Sequence, residues 1–270
     1  MSITSKRKVV REVTLVQDPA RESCYTVGHT DADMASWFGD AKMSAAALRE
    51  KLHRHMNNET GALEIAAQCL ADFPDAEWEL RMCLARQAYD ESRHVSALYR
   101  RLRELGGFKG EFPIANFEWC ITNLCDSLAA RLAIQNRTFE AGQMDLLGTL
   151  RNTWRAVGDE TTAQVLEHIL ADEITHVRFA NQWIRRMVTQ DRRLLLKVAI
   201  AVRLLADTNV ALAAQVGEVN AAGQDVGVKK NLGNIAVNVE DRRSADFSDD
   251  EIQEILRQNG MSSIAATQGQ

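Results

Sequence analysis

Two ten-residue stretches decide the fold: DESRHVSALY at residues 90–99 and DEITHVRFAN at residues 172–181. Each begins with Asp-Glu and places a histidine three residues after the glutamate, so that a carboxylate and an imidazole lie one turn apart on a helix. Both stretches continue a stripe of apolar residues spaced three and four apart, which predicts that Glu and His face the packed interior. The sequence therefore predicts two Glu–His pairs in the core of a helical protein.

The composition of the whole chain favours helices. Of its 270 residues 46% are hydrophobic, and only 3 are proline and 15 glycine. The net charge of -5 gives no general attraction to nucleic acid or acidic membranes. Because there is neither a signal-like apolar segment nor a run of eighteen apolar residues, we expect a cytoplasmic protein without membrane spans. The five cysteines lack metal-site spacing and are predicted to be reduced core thiols.

The apolar spacing divides the chain into three parts. We predict an all-α protein with an N-terminal extension (1–40), a four-helix domain (41–190), and a C-terminal helical extension and tail (191–270). A short strand is expected at REVTLV (11–16), and AAGQDVGVKKNLGN (221–234) resembles a linker. The four helices are predicted at about 40–73, at 75–105, from Pro113 to Gly158, and from a cap at Asp159 to about 190; further helices follow Asp191 and begin at Ser248, with Glu251 completing its capping box.

The other two helices each turn one acid inward. Glu59 continues the inward stripe of the first helix, and Glu140 does so on the third, where a local π-bulge would absorb a drift of the stripe. Thirty-two positions separate Glu59 from Glu91, and thirty-three separate Glu140 from Glu173, so the two helix pairs repeat each other. Glu64 is predicted to face elsewhere. His55 is open to two interpretations: a satisfied core histidine, or a residue that faces the site as an additional ligand or as a hydrogen-bond donor to a ligand.

Four buried carboxylates require compensation. An isolated buried charge costs several kcal/mol or more, and two divalent metal ions carry the matching positive charge. A glutamate from each of two helices plus Glu-x-x-His from each of the other two is the ligand set of a dinuclear carboxylate site. Asp90 and Asp172 are expected to accept the second ring N–H of the histidine on the opposite helix. The predicted metal ligands are Glu59, Glu91, His94, Glu140, Glu173 and His176.

Four motifs, NNETGALEIAAQ, DESRHVSAL, NRTFEAGQMD and DEITHVRFA, resemble in this order the four helix motifs of the ferritin-like superfamily. The resemblance covers residues 45–188 and is greatest to an uncharacterised bacterial branch, distantly akin to the tRNA-hydroxylating members. It implies a ferritin-like antiparallel four-helix bundle with additional C-terminal helices, which compact iron-storage ferritins lack. It also implies ligand roles: Glu59 and Glu140 terminal, Glu91 and Glu173 bridging, and His94 and His176 each on one metal.

The chemistry that follows is oxidative. Two ferrous ions held mainly by carboxylates can deliver two electrons to dioxygen. We therefore predict a non-haem diiron oxygenase or oxidase, with O2 as co-substrate, that hydroxylates, desaturates or oxidises an amine of a small organic substrate. Manganese suits the same ligands. An electron donor and a homodimer through the outer helix faces are compatible with this prediction.

Two alternatives stay open. In the first, iron oxidation is itself the activity, as in a ferroxidase or another metal-handling protein. The second is an RNA-modifying hydroxylase, in which the basic runs RRLR (100–103) and RRMVTQDRR (185–193) form a rim around the site. The net negative charge disfavours a nucleic-acid partner. Basic runs at helix ends are, in addition, usually solvated faces.

Overall fold

A computed structural model describes residues 6–10, 13–28, 44–213 and 237–261, and helices dominate this part of the chain. The strands are β1 (Arg7–Val10) and β2 (Val13–Val16), which pair antiparallel, and β3 (Val27–Gly28), which pairs in parallel with β4 (Ile114–Ala115). The helices are α1 (Ala45–Asp72), α2 (Trp78–Glu104), α3 (Phe117–Thr122), α4 (Leu128–Ile134), α5 (Ala141–Ala156), α6 (Glu160–Gln190), α7 (Arg193–Ala213), α8 (Val239–Ser244) and α9 (Asp249–Gln258). A π-helical turn, Gln135–Glu140, joins α4 to α5 and is called the π turn below.

The predicted helix caps are confirmed. Asp159 accepts a hydrogen bond from the backbone N–H of Thr162 (2.9 Å) at the start of α6. Ser248 and Glu251 form the reciprocal capping box that begins α9. The short strand predicted at 11–16 is present as β2, but its partner β1 was not predicted. The linker proposed at 221–234 and the predicted first residues of helix one, 40–43, lie outside the described residues.

The third predicted helix is wrong as a single element. Its first part is the short α3, after which the N–H of Cys125 bonds to the carbonyl of Thr122 and closes a tight turn. Ser127 then caps a new helix, α4, by accepting from the N–H of Ala130 (3.3 Å). The expected π-bulge is present as the π turn, and Thr138 donates its hydroxyl to the carbonyl of Ala133, five residues earlier (2.8 Å). The extra residue in this turn rotates Glu140 toward the interior.

Four helical segments, α1, α2, α4–π turn–α5 and α6, enclose two apolar clusters. β2 and α7 add to the first cluster, and α8 and α9 add to the second. Along each of the four segments, the two clusters lie on opposite sides of a polar layer. The first cluster includes Ile65, Leu84, Ile134 and Trp183, and the second includes Met56, Leu98, Met144 and Ile169.

The order in which each segment passes the two clusters gives its direction. α1 and α6 pass the second cluster before the first, whereas α2 and the α4–α5 segment pass the first before the second. Each sequential pair, α1 with α2 and α4–α5 with α6, is therefore antiparallel, but α2 and α4–α5 run in the same direction. The connection between Glu104 and Leu128, which contains β4 and α3, is long enough to cross from one end of the helices to the other.

Four of the five cysteines lie in the packed interior or against it. All five thiols are free; Cys69, Cys120 and Cys125 are buried and Cys83 is half-buried. The prediction of a core position is wrong for Cys24, which is exposed, because it lies before α1 in an irregular surface segment.

Among the described residues, no helix is both long and apolar enough to cross a membrane.

Candidate metal centre

A layer of ionisable side chains separates the two apolar clusters. α1 contributes one glutamate, the end of the π turn contributes another, and α2 and α6 each contribute a glutamate and a histidine. None of the six side chains is more than 4% exposed. The structure thus brings together all six of the ligands predicted from the sequence: Glu59, Glu91, His94, Glu140, Glu173 and His176.

The six residues form two overlapping groups of four. Within each group, one possible ligand atom from every member lies within 4.8 Å of the others. Glu91 and Glu173 belong to both groups, which is the arrangement that bridging carboxylates require. The other members divide into Glu59 with His94, called the Glu59 position below, and Glu140 with His176, called the Glu140 position.

Both imidazole rings turn the same nitrogen toward the shared carboxylates. His94 Nδ1 lies 2.8 Å from Glu91 Oε2 and 3.7 Å from Glu173 Oε1. His176 Nδ1 lies 3.3 Å from Glu91 Oε1 and 3.6 Å from Glu173 Oε2. Because each glutamate offers one oxygen to each histidine, the two carboxylates span the space between the two positions.

The outer ring nitrogens contact aspartates, as the sequence predicts. His94 Nε2 is 3.2 Å from Asp172 Oδ2, and His176 Nε2 is 3.4 Å from Asp90 Oδ2, so each aspartate serves the histidine of the opposite helix. Arg93, which the sequence analysis did not single out, donates from Nη2 to both Asp90 Oδ1 (2.6 Å) and Asp172 Oδ2 (2.8 Å). These contacts hold Nδ1 of both rings toward the interior.

Glu59 is held by groups that favour its charged form. His55 Nε2 lies 2.7 Å from Glu59 Oε1, and Gln143 donates a hydrogen bond to the same oxygen. His55 belongs to neither group of four. Of the roles left open by the sequence, the contact with Glu59 favours the hydrogen-bond partner of a candidate ligand over an additional ligand or a core histidine.

Glu140 is held by neutral amides instead. Asn136 Nδ2 donates to Glu140 Oε2 (2.8 Å) and to Gln87 Oε1 (3.1 Å), and Gln87 Nε2 donates to Glu140 Oε1. Sequence reasoning missed the roles of Gln87 and Gln143. Their spacing could have found them, since Gln87 lies four residues before Glu91 and Gln143 three residues after Glu140, each on the inward face of its helix.

These surroundings shift the ionisation of the carboxylates in opposite directions. Burial raises the pKa of Glu140 well above its ordinary value and that of Glu173 to about 8, and the charge of neighbouring carboxylates adds to both shifts. Burial would also raise the pKa of Glu59, but hydrogen bonds with His55 and His94 hold it well below its usual range. Of the two non-shared carboxylates, Glu140 therefore keeps its proton without metal and Glu59 does not. Burial would lower the pKa of His94 and His176, but hydrogen bonds with the neighbouring carboxylates raise it, for His94 to about 11, so both imidazoles hold protons as well.

Three buried atoms of the layer are unsatisfied and have the chemistry to bind metal ions. Both carboxylate oxygens of Glu173 and Nδ1 of His176 are buried and have no hydrogen-bond partner among the described residues. Nearly all buried polar atoms in folded proteins are satisfied, so such atoms need an explanation. Carboxylate oxygens and imidazole nitrogens are ligands of iron and manganese, and bound cations would satisfy all three atoms.

Comparisons with known proteins give a family for the chain but no function. A family model described as "Protein of unknown function (DUF455)" matches residues 3–253. No curated protein and no solved structure matches the chain. Because the family match spans most of the 270 residues, the chain belongs to the DUF455 family.

Proposed function

We propose that this chain is a ferritin-like, non-haem diiron oxidoreductase that uses dioxygen to oxidise a small organic substrate. The observation that carries the proposal is the sharing of Glu91 and Glu173 by two buried ligand groups. A bundle with a single long crossover connection, such as the one between α2 and α4, is the connectivity of ferritin-like folds and supports the same proposal.

The chain's own residues would hold and shield the metal ions. Glu59 with His94 would hold one ion, Glu140 with His176 the other, and the two shared glutamates would contact both. Bound ferrous ions would supply the electrons for reduction of dioxygen, and manganese suits the same donor set. The apolar clusters on either side exclude water from the layer, which strengthens every electrostatic contact within it.

The basic runs considered for an RNA partner are largely engaged within the protein. Arg101 pairs with Asp159, and Arg186 pairs with Glu77. Arg185 contacts Asp246 (2.6 Å). Guanidinium groups that already have carboxylate partners are less available for phosphates, so a small organic substrate is favoured over RNA.

The proposal is tested by loading the protein with ferrous iron under anaerobic conditions and counting the metal bound per chain. We expect two iron ions per chain, oxidation of both on mixing with dioxygen, and no further dioxygen consumption until a reductant and a substrate are added. Saturation at fewer than two ions per chain, with iron and with manganese alike, would contradict the proposal. Glu64→Ala is the matched control and should bind two ions, because Glu64 pairs with Arg21 (2.7 Å) outside the layer.

The same experiment separates the proposed reaction from iron handling. If excess ferrous iron is oxidised continuously, without an organic substrate and with release of ferric product, the activity is iron oxidation. If the two bound ions are oxidised once and stay bound, the protein is an oxidoreductase that needs a substrate. Nothing in the described residues specifically favours the first outcome.

A further inference from the structure

A cavity of about 180 Å³ lies outside the polar layer, where α1, β4 with α3, the π turn and α7 meet. Asn58 of α1 and Phe139 of the π turn are among its lining residues. Each directly precedes a candidate metal ligand, Glu59 and Glu140 respectively. The cavity therefore borders the two segments that carry the non-shared carboxylates.

Gly61 keeps this cavity open. It is buried in the middle of α1 and lines the cavity, yet a Cβ atom built on it would meet nothing within 4 Å apart from its chain neighbours and the backbone of its own helix. A glycine inside a helix destabilises it relative to alanine, and at this position no close packing demands one. Helical Gly148 also has open space around it, but it is only partly buried and does not line the cavity. An empty volume at a buried helix position is what a bound molecule would occupy.

The walls of the cavity are held in place by contacts of their own. Asn57 donates its amide to the carbonyl of Ala115 (2.9 Å), which ties α1 to β4. The rings of Phe117 and Phe139 pack edge-to-face with centroids 6.2 Å apart. A site with walls ordered before binding loses little entropy on binding, and preformed concave sites of this kind are typical for small molecules.

The lining chemistry selects the class of ligand. The aromatic rings of Phe117, Trp119 and Phe139 offer apolar faces, and side-chain amides supply neutral polar groups. The described residues that line the cavity include no cationic side chain that would bind an anion. Asn116 donates its amide to Asp18 (3.3 Å), while its buried Oδ1 has no partner among the described residues. The side-chain amides of Asn58 and Asn209 also line the cavity, and amide oxygens accept N–H groups of a ligand.

We propose that this cavity binds a neutral, single-ring organic molecule that carries a hydrogen-bond donor, and that this molecule is the substrate class of the dimetal centre. The volume suits one ring with a small substituent, since a cavity of about 150 Å³ accommodates benzene. The assignment as substrate rests on the proposed function. Binding to the cavity itself does not, and the two can therefore fail separately.

The test uses a matched pair of probes, nicotinamide and nicotinate, which share a ring but differ in charge and in an N–H donor. We expect nicotinamide to bind the full-length chain with a Kd on the order of 1 mM, measured by calorimetry and ligand-observed NMR, and nicotinate to bind at least tenfold more weakly. Absence of saturable nicotinamide binding up to about 10 mM overturns the proposal, as does equal affinity for both probes.

Substitutions at Gly61 locate the binding. Gly61→Leu should fill the cavity and weaken nicotinamide binding at least tenfold, and Gly61→Ala, which adds one methyl group and needs no rearrangement, should weaken it by a smaller factor without lowering the Tm. Gly148→Ala is the matched control and should leave affinity unchanged. Unchanged affinity in Gly61→Ala and in folded Gly61→Leu overturns the assignment to this cavity.

Counting metal in the same preparations keeps the two proposals distinguishable. Gly61→Leu should still bind two metal ions, because Gly61 belongs to neither ligand group. Two ions per chain without nicotinamide binding would refute the cavity and leave the dimetal centre standing. Nicotinamide binding without two ions would refute the dimetal function and its substrate assignment, but not the cavity as a binding site.

Discussion

The Glu59 and Glu140 positions follow one sequence pattern but differ in their surroundings. Each combines a glutamate, a Glu-x-x-His histidine and an aspartate from the opposite helix. At the Glu59 position, an imidazole, that of His55, lies against the carboxylate. At the Glu140 position the carboxylate contacts the uncharged amides of Gln87 and Asn136.

If the proposed dimetal centre is correct, this difference predicts that the two positions bind metal ions unequally although their ligands repeat. A carboxylate whose hydrogen-bond partners favour the charged form is ready to bind a cation, whereas a carboxylate with a raised pKa must first lose a proton. Near neutral pH, a metal ion at the Glu140 position must displace a carboxylate proton from Glu140 as well as the imidazole proton of His176. Among the non-shared ligands of the Glu59 position, only His94 holds a proton that the ion must displace. We expect the Glu59 position to fill first.

The largest effect is expected from Glu91→Ala, because Glu91 belongs to both groups. Loss of a shared ligand should remove binding at both positions and thus erase the difference between them. The affinity should fall by more than the roughly 10–100-fold that loss of an outer hydrogen-bond partner causes. Metal quantification after dialysis measures this, with Glu64→Ala as control. If Glu91→Ala keeps two tightly bound ions, the shared glutamates do not bridge.

The histidines allow the two positions to be removed one at a time. His94→Ala should abolish the Glu59 position and His176→Ala the Glu140 position, so that each variant retains one ion per chain. The remaining ion should bind more tightly in His176→Ala, which leaves the better prepared position intact. Manganese titration followed by EPR counts the ions and compares the two affinities. Equal affinities in the two variants would show that the surroundings of Glu59 and Glu140 do not matter.

The inward face of each helix could be predicted from sequence, but the contacts across helices could not. Spacing of three and four residues identifies one face of a helix, and this was enough to place Glu59 and Glu173 in the interior. It also indicated the π turn, since the stripe near Glu140 fits only if one extra residue is inserted.

Partners that belong to other helices depend on packing that no local pattern encodes. Gln143 reaches Glu59 from a segment more than eighty residues away, and Arg93 joins two aspartates on different helices. The break between α3 and α4 was missed for a related reason: the apolar spacing continues through it, while the end of α3 is set by the local turn at Cys125 and the cap at Ser127.

The pH dependence of the metal-free chain tests the electrostatic part of the comparison. In the folded, metal-free chain, the pKa of Glu173 is raised from 4.5 to about 8. The proton that Glu173 keeps in the folded state therefore stabilises the fold below pH 4.5, and this stabilisation is lost as the pH rises through about 8. Glu140 acts in the same direction, whereas Glu59, with its lowered pKa, contributes stability above its ordinary pKa that is lost on acidification. Each retained proton gives a slope of about 1.4 kcal/mol per pH unit.

Urea unfolding of the metal-free protein between about pH 5 and pH 8.5 measures this slope. The free energy of unfolding should fall as the pH rises, and Glu140→Gln should flatten the decline because the amide cannot release a proton. Glu64→Gln should leave it unchanged. Metal-loaded protein should show the opposite trend, since metal binding displaces protons and strengthens at higher pH. A metal-free chain that becomes more stable toward pH 8.5 would contradict the raised pKa values.

The smallest effects are expected from the partners that distinguish the two positions. His55→Ala removes the imidazole beside Glu59 and should weaken binding at the Glu59 position about tenfold, equivalent to about 1.4 kcal/mol. Gln87→Ala removes an amide that orients Glu140 and should act chiefly on the Glu140 position, because its second hydrogen bond, to the shared Glu91, is long (3.5 Å). Stepwise manganese titrations of the two variants should change the difference between the two affinities in opposite directions. His55→Ala should bring the affinities together, and Gln87→Ala should separate them further. If both variants weaken the same step, the ordering would arise from the shared glutamates and not from the surroundings of Glu59 and Glu140.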